Sequence, residues 1–282
     1  MIKLDVHLDM VDQPMRTPLL QVRGLAKDFG RGPVLDEIDL DLGPGAMVGL
    51  VGPNGAGKTT LLSLLMGLQR ATRGEVRVAG RALQTLSRRR LARTIALVPQ
   101  DLEIGFAFGV REVVAMGRYP HLGRFQAPGV ADLEAVEQAM VATGIDALSD
   151  RTIDTLSGGE RQRVLIARAV AQQTPVVLLD EVTANLDLSH QLEVLGLARA
   201  MAADGRLVVA ALHDLALASR YCDRLLLLAQ GRLRADGPVS AVLTPDHLLR
   251  YFGVEASIDL APGGGLVITP RLPATGAARP GS

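Results

Sequence analysis

The chain has one cysteine, no tryptophan and no formal net charge, and the first and last of these argue against particular classes of protein. Its one cysteine, Cys222, cannot form an internal disulfide, which fits a reducing compartment. Its 30 Lys and Arg residues balance 30 Asp and Glu residues, so charge alone does not predict a nucleic-acid partner, and we expect none. Aromatic residues make up only 3% of the chain. An aromatic side chain in a loop before a ligand site is therefore a candidate for contact with the ligand.

Long apolar runs are also missing. No stretch approaches the roughly 18–20 apolar residues that span a bilayer. The first ten residues lack the apolar segment of a secretory signal. The 282 residues, 48% of them hydrophobic, suffice for one large domain or for one domain with an inserted subdomain. We expect a cytoplasmic protein, which a partner would hold at a membrane if it works there.

A glycine-rich stretch carries the strongest chemical signal. It has the phosphate-loop spacing G-x-x-x-x-G-K-[ST], between a predicted strand at 46–51 and a predicted helix at 59–67. Glycines let backbone N–H groups point at a phosphate, and the helix N-terminus adds its dipole. The lysine can reach the β- and γ-phosphates, and the threonine hydroxyl can bind Mg²⁺. The loop residues predicted to bind nucleotide are Gly52, Pro53, Asn54, Gly55, Ala56, Gly57, Lys58, Thr59 and Thr60.

Two predicted apolar strands end in polar residues. Asp180 and Glu181 follow the strand at 175–179, and His213 follows the strand at 206–212. Ligands of open α/β sheets bind beyond the carboxyl ends of strands, so Asp180 is predicted to hold Mg²⁺, directly or through water. Glu181 is the candidate general base. His213 could contact a γ-phosphate or position water, although a structural role fits a lone histidine equally well.

The periodicity of the rest of the chain predicts an α/β core interrupted by a helical insert. Residues 1–17 show no clear periodicity and are expected to form a loose extension. Beyond Gly253 the chain consists of short apolar pieces and Gly/Pro-rich sequence, and about the last ten residues are expected to be disordered. Ser87 is a candidate N-cap for a helix within 84–94. The predicted strands lie at 19–23, 38–42, 75–79, 95–98, 175–179, 206–212 and 224–229, the helices of the insert at 110–117, 131–144 and 158–172, and a crossover helix at 187–203.

The sequence Leu156-Ser157-Gly158-Gly159-Glu160 opens one of these helices. Ser157 with Glu160 three residues later is a capping box, which explains the motif completely as a helix start. Two glycines and a serine at a helix start also form an anion site. A second phosphate site without a lysine is unexpected in one chain, unless it serves another copy of the protein.

Together these motifs, in this order, resemble the ATPase subunits of ABC transporters over about residues 19–253. The resemblance implies a fold of class α/β: a P-loop NTPase (RecA-like) core with an antiparallel β subdomain and an inserted α-helical subdomain. It implies an ATPase domain at 18–255 with its insert at about 101–173, after an N-terminal extension at 1–17 and before a partly disordered C-terminal extension at 256–282.

The resemblance also implies ATP and Mg²⁺ as ligands, and it assigns roles to residues. Gln100 matches the Q-loop glutamine, expected to act in catalysis with Glu181 and His213 and to bind the metal with Thr59 and Asp180. Ser157, Gly158, Gly159 and Asp187 match the signature and D-loop residues, which contact ATP between two copies arranged head to tail. Phe29 matches the aromatic residue that stacks on the base; a hydrophobic plug is the alternative. The chain has Val182 where the family usually has Pro, which predicts a less rigid turn.

The expected partners are a second copy of the chain, integral membrane permease subunits and, indirectly, a substrate-binding protein. The expected location is the cytoplasmic face of the membrane. The run Gly117-Arg118-Tyr119-Pro120-His121 resembles that of importers of iron-siderophores, haem and cobalamin. Met116 and Tyr119 could supply apolar contact area to the permease, and Arg118 and His121 could donate to its helix carbonyls. The alternative is a solvated helix end followed by a loop.

Three other functions stay open. The transported molecule could be another small solute or a metal ion. A soluble ABC ATPase could act on DNA, ribosomes or Fe–S assembly, although the first two kinds commonly carry two cassettes or a long coiled-coil insert. A small-molecule P-loop kinase would need neither the signature motif nor Gln100.

Overall fold

The chain folds around two β-sheets and a terminal hairpin in this computed structural model, which describes residues 18–100, 107–261 and 265–271. In chain order the strands are β1 (Leu20–Asp28), β2 (Pro33–Leu42), β3 (Ala46–Val51), β4 (Arg73–Val78), β5 (Arg81–Ala82), β6 (Ile95–Val98), β7 (Val176–Asp180), β8 (Leu207–Ala211), β9 (Arg224–Ala229), β10 (Arg232–Gly237), β11 (Glu255–Leu260) and β12 (Leu266–Arg271).

Helices connect and cover these strands. The α-helices are α1 (Lys58–Leu65), α2 (Arg88–Ala92), α3 (Val110–Ala115), α4 (Val130–Ala142), α5 (Gly158–Ala171), α6 (Leu188–Ala203), α7 (Leu215–Tyr221), α8 (Val239–Val242) and α9 (Pro245–His247). Single 3₁₀ turns lie at Leu83–Thr85, Asp146–Leu148 and Ile153–Thr155, a longer 3₁₀ segment at Met116–His121, and a π-helical turn at Leu248–Phe252. The helices predicted for the insert and the crossover are confirmed, with ends shifted by one or two residues.

The six-stranded sheet positions the candidate site. Its order is β10-β9-β3-β8-β7-β6, and all neighbours except β9 and β10 pair in parallel. Strands β3, β7 and β8 are apolar almost throughout because both faces of the parallel sheet are covered, one by α1 and the antiparallel sheet and the other mainly by helices. Ala211 of β8 pairs with Leu50 on one side and with Asp180 on the other. The three central strands therefore end at one level, where the polar residues that follow them meet.

The second large sheet forms the predicted antiparallel subdomain, with the order β2-β1-β4-β5. Its buried face packs with α1 and with one face of the parallel sheet in a single apolar cluster, which includes Leu25, Ile38 and Leu61. Strand β1 is longer than predicted. Its register shifts between Val22 and Leu25, and such a bulge interrupts the alternation on which the prediction relied.

Between β6 and β7 the described residues form helices and turns, with one isolated bridge between Gly109 and Thr152. Helices α3, α4 and α5 enclose a separate small core of Val, Ala, Met and Ile side chains. Helix α5 also faces the parallel sheet through Leu165 and Ile166. This helix therefore connects the insert to the core that carries the candidate site.

The sequence predicted no strand beyond Gly253, but Glu255–Leu260 (β11) and Leu266–Arg271 (β12) pair as an antiparallel hairpin. Leu266 and Ile268 pack against the second core cluster, and the Leu266 N–H donates to the Ser219 hydroxyl at 2.8 Å. These strands were not predicted because the sequence here consists of short apolar pieces and Gly/Pro-rich segments. The expectations for residues 1–17 and for the last ten residues lie outside the described residues. The domain limits remain predictions.

None of the helices in the described ranges is long and apolar enough to cross a membrane.

Candidate nucleotide site

The phosphate loop connects β3 to α1, as predicted. Gly52, Gly55 and Gly57 all have positive φ angles, of 154°, 76° and 102°. A side chain at Gly52 would overlap the carbonyl oxygen of Leu228, so this position requires glycine for space as well as for its backbone angle. Helix α1 begins directly after Gly57, which leaves the free N–H groups of its first turn facing the loop.

Lys58 is almost completely buried inside this loop. Its Nζ donates to the carbonyl oxygens of Gly52 at 3.0 Å and Pro53 at 3.5 Å, and it lies 3.9 Å from Oε1 of Glu181. Burial lowers the pKa of Lys58, while Glu181 and then Asp180 act in the opposite direction. The loop thus holds a cation in front of two carboxylates.

Thr59 and Asp180 bring two oxygen ligands together. The Thr59 hydroxyl donates to Oδ1 of Asp180 at 3.2 Å, across 121 residues of sequence. Burial raises the pKa of Asp180, with a smaller opposing effect of the Thr59 hydrogen bond. A hydroxyl and a partly buried carboxylate are ligands that suit Mg²⁺, which favours oxygen and one or two carboxylates. The residues present therefore fit the predicted metal.

Glu181 lies between a histidine and a lysine. His213 donates from Nε2 to Oε1 of Glu181 at 2.6 Å. The Glu181 backbone has φ 51°, an uncommon conformation for a residue with a side chain. The next turn is closed by a 2.9 Å bond from Ala184 N to Glu181 O, and Val182 is buried within it. A reduced rigidity caused by Val182 remains a prediction.

Lys58, Thr59, Glu181 and His213 line one cavity of about 510 Å³, whereas Gly52, Pro53 and Asp180 are not in its described lining. It is lined by Val34, Glu181, His213 and the loop residues Asn54, Gly55, Ala56, Gly57, Lys58, Thr59 and Thr60. Val34 had no signal in the sequence; it reaches the cavity because β2 passes the loop. In the described part of the chain, Phe29 and Gln100 do not line the cavity. Phe29 is 55% exposed with Lys27 Nζ 4.7 Å from its ring centre, and Gln100 is exposed just after β6.

The predicted capping box of α5 is confirmed. Oε2 of Glu160 accepts from Ser157 N and from Ser157 Oγ, both at 2.8 Å, and the Glu160 N–H donates back to the hydroxyl at 3.3 Å. These bonds lower the pKa of Glu160. Among the described residues, Ser157, Gly158 and Gly159 do not line the cavity that contains Lys58.

Asp187 is the N-cap of α6. Its Oδ1 accepts from His190 N, Ser189 Oγ and His190 Nδ1, at 3.0, 3.0 and 2.6 Å. The His190 backbone bond, then the side-chain bonds, lower the pKa of this carboxyl. Asp187 is exposed and, like the signature residues, lies outside the described lining of the cavity.

The expectation that Arg118 and His121 donate to a partner's carbonyls is wrong, because both donate within the chain. Arg118 is buried and binds Ala171 O at 2.7 Å, Gln173 Oε1 at 2.8 Å and Asp132 Oδ1 at 3.0 Å. His121 Nε2 donates to Gln172 O at 2.9 Å. Both side chains therefore satisfy the carbonyl end of α5.

Tyr119 is the side chain of this run that faces outward. It is 62% exposed, whereas Met116 packs partly buried against the core of the insert. The carbonyls of Pro120 and His121 each accept from Arg89 and Arg93, at 2.8 Å for Pro120 and 3.1 Å for His121. The run is thus fixed from two sides while Tyr119 remains on the surface.

A strand, a phosphate loop, a helix and an acidic strand end beside them define this chain as a P-loop nucleotide-binding protein. Residues 35–184 match the family model described as ABC transporter. The chain belongs to the ABC transporter family.

The chain is similar to two kinds of import protein. It is 46% identical over 255 residues to a cobalamin import ATP-binding protein of Halobacterium salinarum, covering 90% of this chain and 64% of that protein's length. It is 44% identical over 248 residues to a hemin import ATP-binding protein of Bordetella pertussis, covering 85% of this chain and 94% of the relative. A solved structure described as a metal-chelate type ABC transporter, in an inward-facing conformation, superposes with a TM-score of 0.80 at 30% identity and covers 91% of this chain and 98% of the other.

Proposed function

We propose that this chain is the ATP-hydrolysing subunit of an ABC importer that takes up a metal chelate through a separate membrane permease. One observation carries the catalytic part of the proposal: Glu181 lies 2.6 Å from His213 Nε2 and 3.9 Å from Lys58 Nζ, at the cavity formed by the phosphate loop. The carboxylate that would activate water therefore stands beside the groups that would hold the phosphates.

The roles of the residues follow from their chemistry. Backbone N–H groups of the loop and Lys58 bind the β- and γ-phosphates of ATP. Glu181 accepts a proton from water as the water oxygen bonds to the γ-phosphorus and the bond from that phosphorus to the bridging oxygen breaks. His213 orients the Glu181 carboxylate and can contact the transferred group. Thr59 and Asp180, with Gln100 in the family's pattern, would hold Mg²⁺, which supplies positive charge to the phosphates.

The second copy follows from the place of the signature motif. Ser157 is the N-cap of α5 and the two glycines after it begin the helix, but none of the three is in the described lining of the chain's own cavity. Two chains arranged head to tail would place these groups of one copy at the γ-phosphate held by the other. In this arrangement the anion site at the start of α5 would bind the γ-phosphate of the neighbour's ATP.

The substrate class rests on two observations. The relatives named for import handle cobalamin and hemin, and the chain carries the outward-facing Tyr119 on a rigid segment of the insert. We assign this surface to the permease and the substrate to the iron-siderophore, haem and cobalamin group. The chain would then lie peripherally at the cytoplasmic face of the membrane. Another small solute is the second candidate.

Purification of the tagged chain from detergent-solubilised membranes tests the proposal. We expect an integral membrane protein to co-purify, and its presence to change the rate of phosphate release from MgATP. A chain that hydrolyses MgATP but binds no membrane protein would favour a soluble ABC ATPase. Transfer of the γ-phosphate to a metabolite in place of water would favour a kinase.

A further inference from the structure

His190 contacts both Asp187 and Gly159. In the proposed function these two residues of one copy lie at the ATP bound by the neighbouring copy. The ring nitrogen Nδ1 of His190 binds Asp187, the N-cap of α6, at 2.6 Å from Oδ1. An ionised carboxylate only accepts hydrogen bonds, so Nδ1 carries the proton. Asp187 is thereby held by the backbone and by the side chain of the same residue.

The same ring packs against the signature motif. A Cβ atom at Gly159 would lie 2.6 Å from Cγ and 2.8 Å from Nε2 of His190, so a side chain there would displace the His190 ring from its present position. Gly159 is itself buried, whereas Gly158 has open space where its Cβ would be. The second glycine of the motif therefore has a packing reason, within one chain, that the first glycine lacks.

The contact lies at the N-terminal ends of two helices. Gly159 is the second residue of α5, and His190 is the third residue of α6. One turn further along both helices, Arg163 donates to Glu193 at 2.8 Å. Helices α5 and α6 are thus in contact near their N-termini, where their N-caps Ser157 and Asp187 are both exposed.

We propose that His190 is a positioning residue, which holds Asp187 and the Ser157–Gly159 loop in one fixed arrangement so that a protomer presents both together to the ATP bound by a second copy. This inference rests on the proposed function. The ring contributes in two separable ways, through its Nδ1–H donor to Asp187 and through its contact with Gly159. His190 is not itself part of the described lining of the chain's own cavity.

The test uses the full chain carrying Glu181→Gln, in which ATP-driven dimerisation is measured by light scattering with MgATP. A fluorescent ATP analogue gives the nucleotide affinity of the monomer. Adding His190→Ala is expected to weaken dimerisation about tenfold or more, the size of one lost hydrogen bond to a charged group. The monomer's affinity for nucleotide should stay within about twofold, because an intact loop binds it. Adding His190→Asn, which keeps a donor for Asp187, should recover most of the loss.

A matched control separates positioning from general helix contact. Glu193→Gln breaks the neighbouring contact between the same two helices and should change dimerisation little, because exposed ion pairs contribute little. In chains with native Glu181, His190→Ala should lower kcat for ATP more than it raises KM.

Gly159→Ala gives a second, independent readout. It should abolish dimerisation when His190 is present, because the added methyl group meets the ring. In a His190→Ala chain, Gly159→Ala should cost much less, and this non-additivity is the signature of a direct contact. Equal effects of Gly159→Ala in both backgrounds would overturn the ring contact. Unchanged dimerisation and turnover in His190→Ala would overturn the inference. If the Glu181→Gln chain with native His190 does not dimerise with ATP, the proposed function fails instead.

Discussion

The His213 imidazole and the Glu181 carboxylate form one hydrogen-bonded pair, with Nε2 2.6 Å from Oε1. They follow different strands, β8 and β7, whose ends the parallel register places at the same level. The pair fixes the orientation of the carboxylate at the edge of the cavity, where a general base must be positioned to act.

Glu181→Gln is expected to keep ATP binding and to reduce turnover by roughly 10²–10⁴-fold, the usual contribution of a general base. Glutamine keeps the shape and can still contact His213, but it cannot accept the proton. Phosphate release and nucleotide affinity, measured on the same preparation, check this. Near-normal hydrolysis would reject Glu181 as the base. Lys58→Ala is the contrasting variant and should weaken nucleotide binding itself, because its ammonium contacts the ground-state phosphates.

Ser157→Arg tests whether the signature motif serves a second copy. Each monomer should bind nucleotide almost normally, since Ser157 does not line the described cavity around Lys58. ATP-dependent dimerisation and hydrolysis should be lost, because the arginine would occupy the γ-phosphate position of the neighbour. Sedimentation with and without MgATP measures this. A substituted chain that still dimerises and hydrolyses ATP would rule out the shared site.

Arg118→Leu is expected to lower the free energy of unfolding by about 3–5 kcal/mol, the cost of breaking a buried charge pair. It removes three hydrogen bonds and leaves Asp132, with 14% side-chain exposure, without its cation. Urea unfolding at neutral pH measures the loss. Arg111→Leu, which breaks the half-exposed pair with Glu137, should cost no more than about 1 kcal/mol. Equal losses would show that Arg118 is not the anchor of the α5 end.

The Arg118 effect should depend on pH in a defined direction. The Gly129 backbone bond, then Arg118, hold the pKa of Asp132 below its usual range. A depressed pKa stabilises the fold above the unfolded-state pKa, and this contribution disappears as the pH falls through the folded-state pKa. The difference between native and Arg118→Leu chains should therefore be constant near neutrality and shrink in acid. A difference that grows in acid would contradict this account.

Tyr119→Asp is expected to abolish coupling between hydrolysis and transport while leaving nucleotide binding unchanged. Its side chain is 62% exposed on a segment held by Arg89, Arg93, Arg118 and His121, so a charge there would disturb a docking surface without disturbing the fold. Uptake and ATPase activity of the reconstituted transporter check this. Leu68→Asp adds the same charge at an exposed leucine shortly after α1 and should leave uptake intact.

The core of the site could be predicted from sequence because its signals are local. The phosphate loop, the acidic end of β7 and the histidine after β8 each follow an apolar strand, and parallel pairing then brings them together. The capping box of α5 could also be predicted from the sequence, because it depends on four consecutive residues.

Other features depend on contacts that no local pattern encodes. Arg118 and His121 looked like surface donors, yet the end of α5, some fifty residues later, supplies their acceptors. Val34 reaches the cavity only because β2 passes the loop. The hairpin of β11 and β12 was missed because most residues of its strands are exposed, and its contact with α7 cannot be inferred from a local pattern.

The most direct test of the central claim is uptake of labelled haem, cobalamin and a ferric siderophore by cells in which this chain has been deleted and then restored. In a strain without a redundant importer, deletion should abolish uptake of one of these chelates. The native chain should restore it, and the Glu181→Gln chain, although still binding ATP, should not. Unchanged uptake of all three chelates after deletion, or full restoration by Glu181→Gln, would contradict an ATP-driven metal-chelate importer.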